Sequence, residues 1–201
     1  MVKLSKFVPL VVLALLALAP AASADCAPKL SQTFLDWKDQ SWYTLAGGGD
    51  MESDEGWTLD DAKIASGNEP WQVNGASDSH SLKLPAGSSA TSPYMCIEPG
   101  FPYFRVFARN TGKAKSRLKV EVIFRDSTGA MKVKKAGKLR FRKDDWRLSR
   151  RLATASGLAN PKGKGKGEPE VTFEAAFRFT PMGDAGKWRI DDLFVDPRRR
   201  A

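Results

Sequence analysis

Trp188-Arg189-Ile190-Asp191-Asp192-Leu193-Phe194-Val195-Asp196 is the stretch on which the fold turns. Trp188 and Ile190 share one side of an extended chain. Leu193 and Val195 also share a side, but the parity has moved by one residue. Either a bulge lies at Asp191-Asp192, or Asp192 turns to the same side as Trp188 and Ile190; bulges often re-aim a side chain near a site. The two carboxylates stand in a run suited to burial, and buried carboxylates are costly unless donors or a cation satisfy them. The segment is therefore either an edge strand with one wet side or one wall of a metal site.

The rest of the chain repeats the strand signal. Phe104, Val106 and Ala108 alternate with Arg105 and Arg109. Leu118, Val120, Val122 and Phe124 alternate with Lys119, Glu121 and Arg125. Val171, Phe173, Ala175, Phe177 and Phe179 alternate with Thr172, Glu174 and Arg178. Period-two patterns of this kind mark half-buried strands. Shorter strands are expected at 57–59, 80–84, 95–97, 131–135, 139–141 and 146–150. Turn signals such as Asn74-Gly75, Pro99-Gly100 and Asn110-Thr111-Gly112 separate them. Only 61–65 and 152–158 suggest a short helical turn. Many short strands with frequent turns imply an all-β, antiparallel sandwich in one domain.

The ends read differently. Lys3 and Lys6, an apolar stretch from Phe7 to Ala19 and Ala22-Ser23-Ala24 have the form of a secretory signal peptide. Residues 1–24 are expected to be removed, residues 25–197 to fold, and residues 198–201 to form a disordered basic tail. The product would be secreted, and Cys26 and Cys96 would meet an oxidising compartment, where one disulfide between them is the simplest outcome. Closing a loop of about 70 residues contributes roughly 4 kcal/mol in the chain-entropy model.

The chain carries a net charge of +9. Much of it lies in Pro161-Lys162-Gly163-Lys164-Gly165-Lys166-Gly167, read as a flexible loop, and in Arg198-Arg199-Arg200. This favours solubility, with peripheral attraction to anionic envelope polymers as the sharper reading. Nucleic acid is not an expected partner, because no binding motif is present. His80 is the sole histidine. Ser79 and Ser81 point away from it in a strand, so no triad follows. No Gly-x-Ser-x-Gly, zinc-type histidine spacing or phosphate loop is present, so an enzyme is not expected.

Gly48-Gly49-Asp50-Met51-Glu52, Gly56-Trp57-Thr58-Leu59 and Trp188-x-Ile190-Asp191-Asp192-Leu193-x-Val195 together resemble the opening and closing strands of carbohydrate-binding-module-type jelly rolls, the galactose-binding-like sandwiches. The chain also looks like a group of secreted actinobacterial proteins, through Ser92-Pro93-Tyr94-Met95-Cys96 and 190–197, a likeness that brings no activity with it. The first resemblance implies a jelly-roll β-sandwich whose first and last strands lie side by side. It also implies a structural calcium ion, held by Glu52 with Asp191 or Asp192, with Asp50 near and carbonyls completing the shell. Calcium takes six to eight oxygen ligands of this kind. The other reading of Asp191 and Asp192 is solvation, or pairing with Arg189 or Lys187.

The function implied is a non-catalytic binding module, with a polysaccharide or glycan as partner and a monomeric state. The alternative is a structural or interaction protein of the bacterial cell envelope without a sugar site. Candidate aromatic platforms are Trp71, Tyr103 and Trp146, with Trp42 as a fourth; an aromatic face stacks on the C–H side of a sugar while polar groups orient it. For each, a place in the core is an equal reading. Outward Arg105, Arg109, Arg125 and Arg178, were they to line one sheet face, would favour an acidic glycan.

Overall fold

The structure, a computed structural model, describes residues 29–97, 101–125, 129–142, 144–154 and 173–196. The leader, Cys26, the basic loop at 161–167 and the tail at 198–201 lie outside the described residues. A short 3₁₀ turn, η1 (Leu35–Trp37), precedes the strands β1 (Thr44–Leu45), β2 (Thr58–Asp60), β3 (Lys63–Ser66), β4 (His80–Leu84) and β5 (Ser89–Thr91). There follow β6 (Met95–Ile97), β7 (Tyr103–Asn110), β8 (Arg117–Arg125), β9 (Met131–Leu139), β10 (Trp146–Leu148), β11 (Leu152–Ala153), β12 (Phe173–Met182) and β13 (Trp188–Asp196).

These strands form two antiparallel sheets packed as a jelly-roll sandwich. One runs β10-β7-β13-β4-β3, with β1 on β13 and β11 on β7. The other runs β2-β5-β12-β8-β9, with β6 on β12. The alternation read from the sequence sets the faces. Phe104, Val106 and Ala108 from β7 meet Val120, Val122, Phe177 and Phe179 from the opposing sheet in one core. Phe104 and Phe177 touch across it, with ring centroids 4.4 Å apart. Each fully buried Val or Phe among them contributes roughly 1.5–3 kcal/mol. Trp188 is fully buried and donates its Nε1–H to Ser116 Oγ at 2.9 Å.

The bulge lies where the parity shift put it. Asp191 pairs with Phe107 and Phe194 with Arg105, so Asp192 and Leu193 together oppose Val106 alone. Asp192 takes φ 51° to make the extra residue fit. The bulge frees the backbone of Leu193, whose N–H donates to Gly49 O and whose carbonyl accepts from Ala46 N, both at 2.9 Å. Thr44 and Leu45 of β1 pair with Val195 and Phe194. The last strand thus lies beside the first. Gly49 is required by the close approach: a Cβ there would stand 2.7 Å from Leu193 O and 2.9 Å from Ala46 O.

Three local expectations are corrected. Residues 63–66 are a strand, not part of a helical turn, because they pair with β4 at the sheet edge. Leu152–Ala153 is likewise a strand, paired with β7. The strands expected at 131–135 and 139–141 are replaced by one, β9, which runs to Leu139 through an irregularity opposite Val120 and Glu121, and 140–141 lie beyond it. Its exposed lysines Lys132, Lys134 and Lys135 discourage edge-to-edge pairing. Cys96 lies on β6, and no cysteine is free among the described residues.

Candidate functional site

The outer face of the β10-β7-β13-β4-β3 sheet holds most of the residues singled out by sequence. Residues facing outward on β7 are those that alternate with its core set, including Arg105, Phe107 and Arg109. Phe107 is nevertheless fully buried, because the N-terminal segment folds over it. Phe34, Tyr43 and Phe194 complete this second cluster, with Trp37, Val73, Trp146 and Leu148 packed against it.

Trp71 is the exposed edge of that cluster. It lies in the loop between β3 and β4 and is 46% exposed. Its ring stands edge-on to Trp37 at 5.1 Å and lies tilted against Phe107 at 5.3 Å. Trp146 sits opposite Arg109 in register and is half-buried on the same cluster. The fold thus brings Trp71 and Trp146 to one face. Tyr103 is half-buried at the far end of β7, opposite Asp196 and Ala153, and Trp42 is half-buried beside Tyr43 in the chain. The four arginines do not share a face. Arg105 and Arg109 belong to β7, whereas Arg125 and Arg178 belong to β8 and β12 in the other sheet. Arg105 is also committed to the scaffold: it bonds Asp39 at 2.8 Å and Ser149 O, and lies 5.3 Å from the Phe34 ring centroid.

The loop that presents Trp71 is built around a carboxylate. Glu69 is fully buried and accepts from Trp71 N at 2.5 Å and from Val73 N at 2.8 Å. Its own N–H donates to Asp191 Oδ2 at 3.0 Å. Arg189 fixes the start of the loop by donating from one nitrogen to the carbonyls of Ala65, Ser66 and Gly67 at 2.6–2.7 Å. The neck is closed by Gly67 N to Ser79 O at 2.6 Å. Trp37, Glu69 and Asp78 escape sequence reading, since a loop docked by long-range contacts shows no period.

Asp191 and Asp192 are both buried, as are Glu69 and Asp78. Burial pushes Asp191 up to about 8, against hydrogen bonds from Glu69 N and Asp192 N and with help from the charges of Asp78 and Glu69. Burial likewise raises Asp192, reinforced by Asp191, Asp78 and Glu69. Asp78 is raised by burial too, partly countered by a hydrogen bond from Asn74, and it feels the charges of Glu52, Asp50 and Glu69. Among the described residues no donor reaches either oxygen of Asp192 or Oδ2 of Asp78, although a protonated Asp192 carboxyl can share a hydrogen bond with the Glu69 carboxylate beside it, which also raises it.

Were a hard cation bound here, the oxygens open to it would be those of Asp192 and Oδ2 of Asp78. Asp192 and Asp78 would hold it, with carbonyls and water supplying most of the six to eight oxygens that calcium takes. A cage of side chains alone is not formed: among the described residues no three His, Cys, Asp or Glu are placed to hold a metal. Asp191 is occupied by backbone donors. Glu52 is saturated: Oε1 accepts from Ser79 N and His80 N, and Oε2 meets Ser79 Oγ and His80 Nδ1, all within 3.0 Å. Asp50 Oδ1 faces Glu52 N at 3.4 Å.

No family model and no curated protein matches the chain. Solved structures do. One is the xylan-binding domain from CBM 22, with 14% identity and a TM-score of 0.46, covering 78% of this chain and 97% of that one. Another is the CBM22-1 xylan-binding domain from Paenibacillus barcinonensis Xyn10C, with 12% identity and a TM-score of 0.46, covering 76% and 94%. A third is a CBM61 module in complex with β-1,4-galactotriose, with 16% identity and a TM-score of 0.40, covering 75% and 96%.

Ser79, His80 and Glu52 make a trio worth testing as a catalytic relay. A relay needs the hydroxyl on one ring nitrogen and the carboxylate on the other. Here Ser79 Oγ and Glu52 Oε2 both meet Nδ1, at 2.8 and 2.9 Å. They compete for one position, so the arrangement ties loops together and does not relay a proton.

Proposed function

We propose that this chain is a non-catalytic glycan-binding module that stacks a sugar ring on Trp71. The observation that carries the reading is the indole itself. It is 46% exposed, yet fixed by Trp37, Phe107 and the Glu69-centred loop. An exposed aromatic held still offers stacking area with little ordering cost on binding. Half-buried Trp146 and Leu148 border the same surface. The module acts outside the cell as a monomer, in line with the expected leader and with one Cys26–Cys96 bond.

A calcium ion on Asp192 and Asp78 is the second element of the proposal. It would neutralise the buried cluster beneath the Trp71 loop and so serve as scaffold.

A glycan array run with and without a calcium chelator tests the first element, with Trp71→Ala as its partner. Loss of one stacked aromatic is expected to weaken glycan binding about tenfold. Absence of any glycan binding by the parent protein, or full binding by the variant, overturns the platform. For the second element, a chelator should lower the melting midpoint of the parent and leave Asp192→Asn unmoved, because a ligand of the folded state stabilises by mass action. A parent midpoint indifferent to chelator overturns the ion.

A further inference from the structure

The outer sheet face carries a row of cations that folding alone would disfavour. Arg109 on β7 lies opposite Arg189 on β13, Arg189 opposite Lys83 on β4, and Lys83 opposite Lys63 on β3. Four neighbouring strands therefore place a positive residue at one level, and Trp146 on β10 continues the row beyond Arg109. Like charges directly opposite one another destabilise a sheet.

The fold neutralises this row only at one end. Arg109 Nε donates to Asp144 Oδ1 at 2.6 Å. Arg189 is satisfied by Ser81 Oγ and by three carbonyls, which accept its hydrogen bonds without cancelling its charge. Lys83 and Lys63 are exposed, and among the described residues no carboxylate is paired with either. Arg109, Arg189 and Lys83 also line an open pocket of about 500 Å³ with Thr111, Lys187 and Trp188. Lys187 is exposed there and adds a further positive charge.

Resting on the glycan-binding reading, we infer that this row and its pocket bind the acidic groups of an anionic polysaccharide laid across the strands beside Trp71. With strands about 4.8 Å apart, the four cations extend over about 14 Å. A line of that length suits charges repeated along a polymer better than a single small anion. Phe107, under Trp71, is two residues from Arg109 on the same face of β7, so stacking and charge pairing fall on adjacent levels of one surface.

The test is calorimetry at low salt against four probes: polygalacturonate, dextran sulfate, unsubstituted xylan and polyglutamate. Three proteins are compared: the parent, Lys63→Gln/Lys83→Gln, and Lys134→Gln/Lys135→Gln, the last removing equal charge from β9. The parent is expected to prefer an anionic glycan over xylan and polyglutamate; which of the two it prefers tells carboxylate from sulfate. The Lys63/Lys83 variant should lose about tenfold, as expected for two ion pairs at a rim, and the β9 variant should not change. Relief of cross-strand repulsion should leave the Lys63/Lys83 variant melting no lower than the parent, which separates lost binding from misfolding. Equal losses in both variants, or equal affinity for polyglutamate, overturn the inference as mere charge attraction. Binding of xylan as tight as that of the anionic glycans overturns it while leaving the platform standing. Binding of none of the glycans overturns both.

Discussion

Glu69→Ala tests how the Trp71 surface is held. The carboxylate accepts from Trp71 N and Val73 N at 2.5 and 2.8 Å. Hydrogen bonds to a charged group contribute roughly 1.5–3 kcal/mol each, so removing both gives an upper bound of about 3–6 kcal/mol. Two effects work against that bound. The bonds are only part-buried, so water can reach the donors once the loop loosens. The substitution also deletes a negative charge that raises Asp191, Asp192 and Asp78. Those carboxyls are raised toward their neutral forms, so the repulsion relieved is smaller than that between two full charges. The net expectation is about 2 kcal/mol, confined to the loop, which corresponds to roughly thirtyfold faster exchange of the Trp71 and Val73 amides. Hydrogen exchange resolved by residue is the assay, with the amides of β7 and β13 as internal controls. Unchanged protection at Trp71 and Val73 would refute the account of the loop. Equal loosening across β7 and β13 would refute its local character.

Gly49→Ala should destabilise the whole sandwich by about 1–3 kcal/mol, because its Cβ meets Leu193 O and Ala46 O where the first and last strands join; a thermal midpoint within a degree of the parent would contradict this. Burial works to raise Asp39, but hydrogen bonds from Arg151, Tyr43 and Ser41 outweigh it and hold its carboxyl well below the usual 3.8. A depressed folded-state pKa gives stability that is present above about pH 4 and lost as pH falls toward the folded value. Asp39→Asn should therefore flatten the acid limb of the stability curve below pH 4, and an unchanged acid limb would count against it. Reduction of a Cys26–Cys96 bond should lower the denaturation free energy by roughly 4 kcal/mol in the chain-entropy model, measured by urea titration with and without reductant.

Much of the architecture was legible because it is periodic. The parity shift at Asp191-Asp192 located the bulge, and the alternation in 104–108 and 118–124 assigned the core faces. The lateral arrangement of strands was not legible. Whether Arg109 and Arg178 share a face depends on which sheet each strand joins, and nothing within either strand encodes that. The same holds for Glu52. The resemblance implies a cation ligand at Glu52, yet its carboxylate is occupied by Ser79 and His80, about 28 residues away. Trp71 stood out by its polar surroundings, whereas Trp37, which holds it in place, lies in a 3₁₀ turn with no pattern to mark it.

The neck of the β3–β4 loop has an evolutionary consequence. The backbone bond between Gly67 and Ser79, with Arg189 gripping one side and Glu52 the other, closes the loop before its variable part begins. Residues 70–77 can therefore be exchanged for an insert of another length while the registers of β3 and β4 stay as they are. Such a sandwich can change what it recognises by swapping one cassette, while the core between its two sheets stays as it is.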